Sequence, residues 1–311
     1  MSTVIDVKHL TKQFDSFTAV DDLSFTVQDR DVYGFLGQNG AGKSTTLRML
    51  LTLIQPTAGD IHVFGYSIHT HKKDILRQIG AVIEKPDVYK YLSAYDNLQL
   101  FAKLCGMNPS HQQLMDQLEL VGLAERAKDI VKTYSQGMKQ RLGIAIALIH
   151  QPQLVILDEP TNGLDPQGIA DIRNLILRLS REMGKTVVVS SHLLSEIEQM
   201  ATQVLIIDRG KKKVEGKSVD LFDPAQTIVK VDVADFANAI EKMKTSIWNT
   251  HLNADGGQSL LFSLHRDQLP QLYKDLAALD ISVISFQPRH SLEDYFLKIT
   301  SGKPHVQAYT N

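Results

Sequence analysis

The chain has 311 residues, 43% of them hydrophobic and 22% charged. That is enough apolar content for one large domain or two ordinary ones, and it excludes a disordered chain. A formal charge of −2, from 33 Lys plus Arg against 35 Asp plus Glu, supplies no strong field for nucleic acid or anionic lipid.

Val4 to Leu10 reads as a strand, and the apolar positions of Phe17 to Val27 fit a hairpin. Val32 to Leu36 is a short buried strand followed at once by a glycine-rich turn, and the pattern from Lys43 to Leu53 is helical. The turn cluster Gln55 to Asp60 leads into a strand at Ile61 to Phe64. From Leu92 to Ile130 the chain carries helix formers at helical spacing, which predicts a helical insertion within a helical subdomain at about 88–150. A further helix starts near Ser135. Then come a strand at Leu154 to Leu157, a helix from Gln167 to Met183, a strand at Thr186 to Val189, a helix after His192 and a strand at Val204 to Ile207. Such alternation predicts a largely parallel α/β sheet. Lys211-Lys212-Lys213, after Asp208-Arg209-Gly210, reads as a solvated hairpin turn.

The character then changes. A linker is expected near Gly216 to Pro224, dividing a first domain, 1–218, from a second, 225–311. In the second, strands are expected at Thr227 to Val233, Ser246 to Leu252, Ser259 to Leu264 and Ile281 to Phe286. Helices are expected at Asp235 to Lys244 and Asp267 to Leu279. That order, βαββαβ, predicts a small ferredoxin-like α+β domain. Leu292 to Ile299 reads as a closing amphipathic helix, and Ser301 to Asn311 as a loose tail. The one cysteine, Cys105, rules out an intrachain disulfide framework, which fits a reducing compartment, and it reads as a small core residue. The N-terminus has no basic start followed by an apolar run, so no signal peptide is expected. No segment approaches the roughly 20 apolar residues of a membrane span.

Gly37-Gln38-Asn39-Gly40-Ala41-Gly42-Lys43-Ser44 matches G-x-x-x-x-G-K-S between a predicted strand and a predicted helix, the context this phosphate loop requires. Glycines let backbone N–H groups turn inward around phosphate oxygens, and the helix N-terminus adds positive potential. Gly37, Asn39, Gly40, Ala41, Gly42, Lys43, Ser44 and Thr45 are therefore candidate ATP contacts, with Lys43 reaching the β- and γ-phosphates and Ser44 ligating Mg²⁺. Val155 to Pro160 carries an apolar run that delivers Asp158 to a strand's carboxyl end, where ligands collect in open α/β sheets. Asp158 is a candidate Mg²⁺ ligand and Glu159 a candidate polariser of the attacking water.

A phosphate loop alone does not fix a function. Tyr134-Ser135-Gln136-Gly137-Met138-Lys139-Gln140-Arg141 resembles the signature of ABC cassettes, usually Leu-Ser-Gly-Gly-Gln, with Ser135 and Gly137 as the matching positions. Gly163-Leu164-Asp165 resembles the family's D-loop, and Ser190-Ser191-His192 its H-loop. Phe14 lies where the family has an aromatic that stacks on adenine. The resemblance covers Val4 to Lys217 and implies a P-loop ABC ATPase. It also implies a head-to-tail dimer, homo- or heterodimeric. Ser135 and Gly137 of one chain would face the γ-phosphate held by the other, and His192 would contact that phosphate. A separate transmembrane permease would dock on the segment from Glu84 through Tyr91 to the following helices, placing the chain on the cytoplasmic face of the membrane. No nucleic-acid partner is expected. Tyr134, Gln136 and Met138 depart from the usual signature, and Glu84 stands where the family usually has Gln. Glu84 reads equally as a carboxylate near Mg²⁺ and its water or as a solvated strand end. Together with the extra C-terminal domain, these features resemble the bacitracin, lantibiotic and drug exporter branch. The alternative is a soluble ABC ATPase acting on a ribosome or nucleic acid; those commonly carry paired cassettes or coiled-coil insertions, neither of which is visible. The C-terminal domain reads as a brace for the dimer, with a small-ligand sensor as the alternative.

Overall fold

The computed structural model describes residues 2–221, 226–253 and 259–290. The chain forms two compact units, residues 1–218 and 219–311.

The first unit opens with a long hairpin, β1 (Thr3–Phe14) and β2 (Phe17–Gln28), followed by β3 (Val32–Leu36) and α1 (Lys43–Leu50). β4 (Ala58–Val63) and β5 (Tyr66–Ser67) complete an antiparallel sheet of order β2-β1-β4-β5. After α2 (Lys72–Leu76) and β6 (Ile79–Val82) come three helices, α3 (Ala94–Leu104), α4 (His111–Leu120) and α5 (Gln136–Leu148). The chain then alternates through β7 (Leu154–Asp158), α6 (Pro166–Arg181), β8 (Thr186–Ser191), α7 (Leu194–Met200) and β9 (Gln203–Asp208) to β10 (Lys211–Lys217) and the short α8 (Ser218–Leu221).

The second sheet has the order β10-β9-β3-β8-β7-β6, parallel from β9 to β6 with β10 antiparallel at the edge. β3, β7 and β8 are buried at every position, as expected for parallel strands covered on both faces. Parallel register brings the carboxyl ends of these three strands level: Leu36 lies opposite Ser191, and Asp158 opposite Ser190. The site is built on that edge.

One buried amide ties the helical region to the loop that leads into it. Asn97 of α3 accepts from the Tyr89 N–H at 2.8 Å and donates to the carbonyls of Tyr89 and Ser93 at 3.0 and 2.8 Å. The loop between β6 and α3 is thereby tied to the helix that follows it.

The second unit contains β11 (Gln226–Val233), α9 (Phe236–Lys244), β12 (Leu252–Asn253), β13 (Ser259–His265), α10 (Leu269–Ala278) and β14 (Val283–His290). The antiparallel sheet has the order β12-β13-β11-β14, so consecutive crossovers place each helix on the sheet as a ferredoxin-like βαββαβ chain requires. Its core gathers Val229, Val231, Met243, Trp248, Phe262, Leu272 and Leu276.

Several local expectations change. Ser246 to Leu252 is not a strand. The Ser246 hydroxyl accepts from the Trp248 N–H at 3.2 Å and caps a 3-10 turn over Ile247–His251, leaving only Leu252–Asn253 to pair. That curl buries Trp248, whose indole N–H donates to Asp275 at 2.9 Å. Cys105 is exposed rather than core: the buried face of α3 runs through Leu98 and Ala102, and Cys105 falls at its C-cap before the left-handed Gly106. The turn after β9 is Arg209-Gly210, both at positive φ, while the three lysines lie in β10 and pair with Asp21, Glu215 and Asp208. Gly216 and Lys217 also belong to β10, and Ser218–Leu221 is helical, so the chain is regular through much of the expected linker. The remainder of that linker, at 222–224, the helix expected at Leu292 to Ile299 and the tail expected at Ser301 to Asn311 lie outside the described residues.

Candidate active site

β3 ends at Leu36, and the chain must turn in a space with no room for side chains. A Cβ on Gly37 would sit 2.6 Å from the Ile207 carbonyl oxygen. Gly42 has φ 105, and a Cβ there would lie 2.6 Å from the Ala19 carbonyl oxygen. Packing against β9 and β2 thus demands glycine at both ends of the loop. Gln38, Asn39 and Gly40 are exposed, Ala41 is buried, and Ser44 and Thr45 are half-buried in the first turn of α1. Thr46 donates its hydroxyl to the Gly42 carbonyl at 2.9 Å, closing the loop onto the helix.

Lys43 curls back across this turn. Its Nζ donates to the carbonyls of Gly37 and Gln38 at 2.6 and 3.2 Å and lies 3.1 Å from Glu159 Oε1. The Lys43 side chain is only 5% exposed, and a buried ammonium is costly unless paired and hydrogen-bonded. Here two carbonyls and a carboxylate supply what water would.

The end of β7 completes the arrangement. Ser190 of β8 donates its hydroxyl to Asp158 Oδ1 at 2.6 Å and accepts from the Glu159 N–H at 2.9 Å. One hydroxyl therefore holds two consecutive residues, which the Asp158–Ser190 register makes possible. Glu159 sits at φ 49, a left-handed conformation that costs a side-chain-bearing residue about 1–3 kcal/mol. In that conformation its carboxylate lies between two bases: Oε1 faces Lys43, and Oε2 lies 2.7 Å from His192 Nδ1. A line of Lys43, Glu159 and His192 thus crosses the carboxyl ends of β3, β7 and β8. A carboxylate so held has a geometry suited to orienting a water or accepting its proton.

The other sequence candidates lie apart from this line. Ser135 is the exposed N-cap of α5 and accepts from the Met138 N–H at 3.2 Å. A Cβ on Gly137 would meet nothing closer than 3.9 Å, the Leu164 side chain. Tyr134 is buried, and its hydroxyl donates to the Arg126 carbonyl at 2.6 Å; burial, and next the negative charge of Asp129, raise its pKa above the ordinary tyrosine value. Asp165 caps α6, accepting from the Gly168 N–H at 3.1 Å. Phe14 is exposed, with the Lys12 ammonium 4.8 Å from its ring centroid. Glu84, at φ 62, pairs with Arg48 of α1. Two further groups, Thr161 and the buried Glu196, had no sequence signal of their own, and the Ser190-Ser191-His192 motif does not reveal the bridge that the Ser190 hydroxyl makes. Strand register and a distant helix create those contacts, so no local motif announces them.

These strand ends and this loop define a phosphate-loop nucleotide triphosphatase. The family model described as ABC transporter matches residues 20–162. The chain is 43% identical over 305 residues to the Bacitracin transport ATP-binding protein BcrA of Bacillus licheniformis, covering 97% of this chain and 99% of that one. It is 42% identical over 208 residues to the Lantibiotic transport ATP-binding protein SrtF of Streptococcus pyogenes, covering 67% and 88%. A solved ATP-binding cassette, dimeric in a post-hydrolysis state with ADP and Pi, superposes with TM-score 0.62 at 25% identity over 69% of this chain and 98% of that one. The chain belongs to the ATP-binding subunits of ABC transporters and is an ATPase. No helix among the described residues is long and apolar enough to cross a membrane.

Proposed function

We propose that this chain is the ATP-hydrolysing motor of an exporter of peptide antibiotics, drugs or related compounds, working at the cytoplasmic face of the membrane with a separate permease. The near full-length identity to a bacitracin transport protein supports the cargo class. The observation that carries the motor reading is Glu159, held between Lys43 and His192 at 3.1 and 2.7 Å at the ends of three parallel strands.

ATP enters with its phosphates in the loop from Gly37 to Thr45 and its adenine against Phe14. The phosphates replace the internal partners of Lys43, whose ammonium moves from Gly37, Gln38 and Glu159 to the β- and γ-oxygens. Glu159 is then released to face the γ-phosphate. Its carboxylate orients the attacking water and accepts its proton, while His192 holds the carboxylate in place and contacts the γ-phosphate. Ser44 and Asp158 offer hydroxyl and carboxylate oxygens, the donor chemistry that suits Mg²⁺. Among the described residues no cluster of three or more His, Cys, Asp or Glu forms a metal cage. When bound, Mg²⁺ supplies neutralisation of the phosphate charge. Glu84 joins this set only after parting from Arg48.

The exposed N-terminus of α5, with Ser135 and the open position at Gly137, faces the γ-phosphate of a second chain, as in the family dimer. The loop from Glu84 to Tyr91 presents Tyr89 and Tyr91 to solvent and is the surface for the permease. It is firmly placed by Asn97, so that a push there reaches α3. The test is the Glu159→Gln variant of the full chain. It binds ATP as the parent does and hydrolyses it about 10²–10⁴-fold more slowly, the usual worth of a general base. Parent-like turnover removes Glu159 from this role.

A further inference from the structure

Besides Asp158, one buried acid among the described residues lies outside the line of Lys43, Glu159 and His192. Glu196 lies in α7 and is 5% exposed. Its Oε2 accepts from the Thr161 hydroxyl and, at 3.1 Å, from the Ser191 hydroxyl. Thr161 follows Asp158-Glu159-Pro160 at the end of β7, and Ser191 immediately precedes His192 at the end of β8. One carboxylate oxygen therefore ties together the two loops that carry Glu159 and His192.

The tie reaches further. The Ser191 hydroxyl also accepts from the Leu193 N–H at 2.9 Å, so it fixes the backbone on both sides of His192. The Ser191 carbonyl accepts from the Gly37 N–H at 3.3 Å, linking the same step to the phosphate loop. A hydroxyl donating to a charged acceptor makes a stronger bond than one donating to a neutral group. Burying a carboxylate is costly, and a hydrophobic residue of similar volume is often as stable or more so. The acid is better explained by what it orients than by stability.

We propose that Glu196 is a positioning residue for ATP hydrolysis. It sets the spacing between the β7 and β8 loops and so keeps His192 Nδ1 on Glu159 Oε2. The inference rests on the reading of Glu159 and His192 given above. It assigns Glu196 no contact with ATP.

The test compares kcat, nucleotide affinity and a double-substitution cycle in the full chain. Glu196→Leu keeps the bulk and removes the acceptor; Glu196→Gln keeps an acceptor for one hydroxyl or both. Expected for Glu196→Leu is a fall in kcat of about tenfold to a hundredfold, the scale set by a misplacement of about 1 Å, with ATP affinity held. Glu196→Gln recovers most of that loss. In a His192→Ala background, which itself lowers kcat, Glu196→Leu produces less than about a twofold further change, because contacting residues that act through one another are not additive. Independent multiplication of the two losses overturns the positioning role, as does a lowered melting temperature with unchanged kcat. If His192→Ala alone leaves kcat unchanged, it is the reading of the site that fails rather than the role of Glu196.

Discussion

The ends of β3, β7 and β8 and the start of α5 are both parts of one proposed ATP site, yet they are built in opposite ways. At the strand ends every charged group is shielded and partnered: Lys43 on two carbonyls and Glu159, Glu159 on His192, Asp158 on Ser190. At α5 the Ser135 side is exposed, and a Cβ on Gly137 would meet no atom nearer than 3.9 Å. The first region is complete within one chain. The second offers helix N–H groups to something outside it. On the proposed reading, nucleotide frees Glu159 from Lys43 within one chain, and a second chain completes the site with its exposed α5 N-terminus.

That comparison can be broken at either region. The largest effect is expected for Glu159→Gln, whose loss in kcat of about 10²–10⁴-fold comes without loss of ATP binding, measured by steady-state phosphate release beside equilibrium nucleotide titration. Gly137→Asp probes the other region. It places a carboxylate where the second chain's γ-phosphate is expected, so hydrolysis falls by about 10²-fold or more, the scale of removing a preorganised donor. Because a Cβ at Gly137 makes only ordinary van der Waals contacts, the melting temperature of that variant stays at the parent value. A variant that lost stability instead would place Gly137 in the core of the fold rather than at an interface. Lys43→Ala is expected to weaken ATP binding by about 2–5 kcal/mol in a direct titration, since it removes the shielded ammonium that pairs with the β- and γ-phosphates. Unchanged affinity would remove the loop from phosphate binding. The smallest effect belongs to Tyr134→Phe. It deletes only the hydroxyl that donates to the Arg126 carbonyl and lowers unfolding free energy by about 1 kcal/mol in a denaturant titration. A larger loss of hydrolysis than of stability would show that this bond sets the position of Ser135.

Much of this was legible in the amino-acid order, because the informative contacts are local. The phosphate loop is contiguous from Gly37 to Ser44, and the apolar run before Asp158 identifies its strand. The Ser135 cap follows from a residue type at a helix start, and the structure places it there with its hydroxyl on Met138. What was not legible depends on partners distant in the chain. Ser190 meets Asp158 and Glu159 through parallel register across 32 and 31 residues, and Thr161 meets Glu196 across 35. The Ser246 to Leu252 segment misled for a related reason: its apolar residues fit a strand, but the Ser246 cap and the burial of Trp248 against Asp275 curl it into a 3-10 turn. Glu84 reads from sequence either as a carboxylate near the metal or as a solvated strand end, and neither reading names its partner in this structure, Arg48 of the helix that follows the phosphate loop.

The most direct test of the two-region account is the mass of the Glu159→Gln chain in solution, measured by light scattering with and without Mg·ATP. The account predicts one chain without nucleotide and two with it. It also predicts that adding Gly137→Asp to the same chain returns the mass to one chain while ATP stays bound. A Glu159→Gln chain that binds ATP and remains a single chain at saturating nucleotide would contradict it.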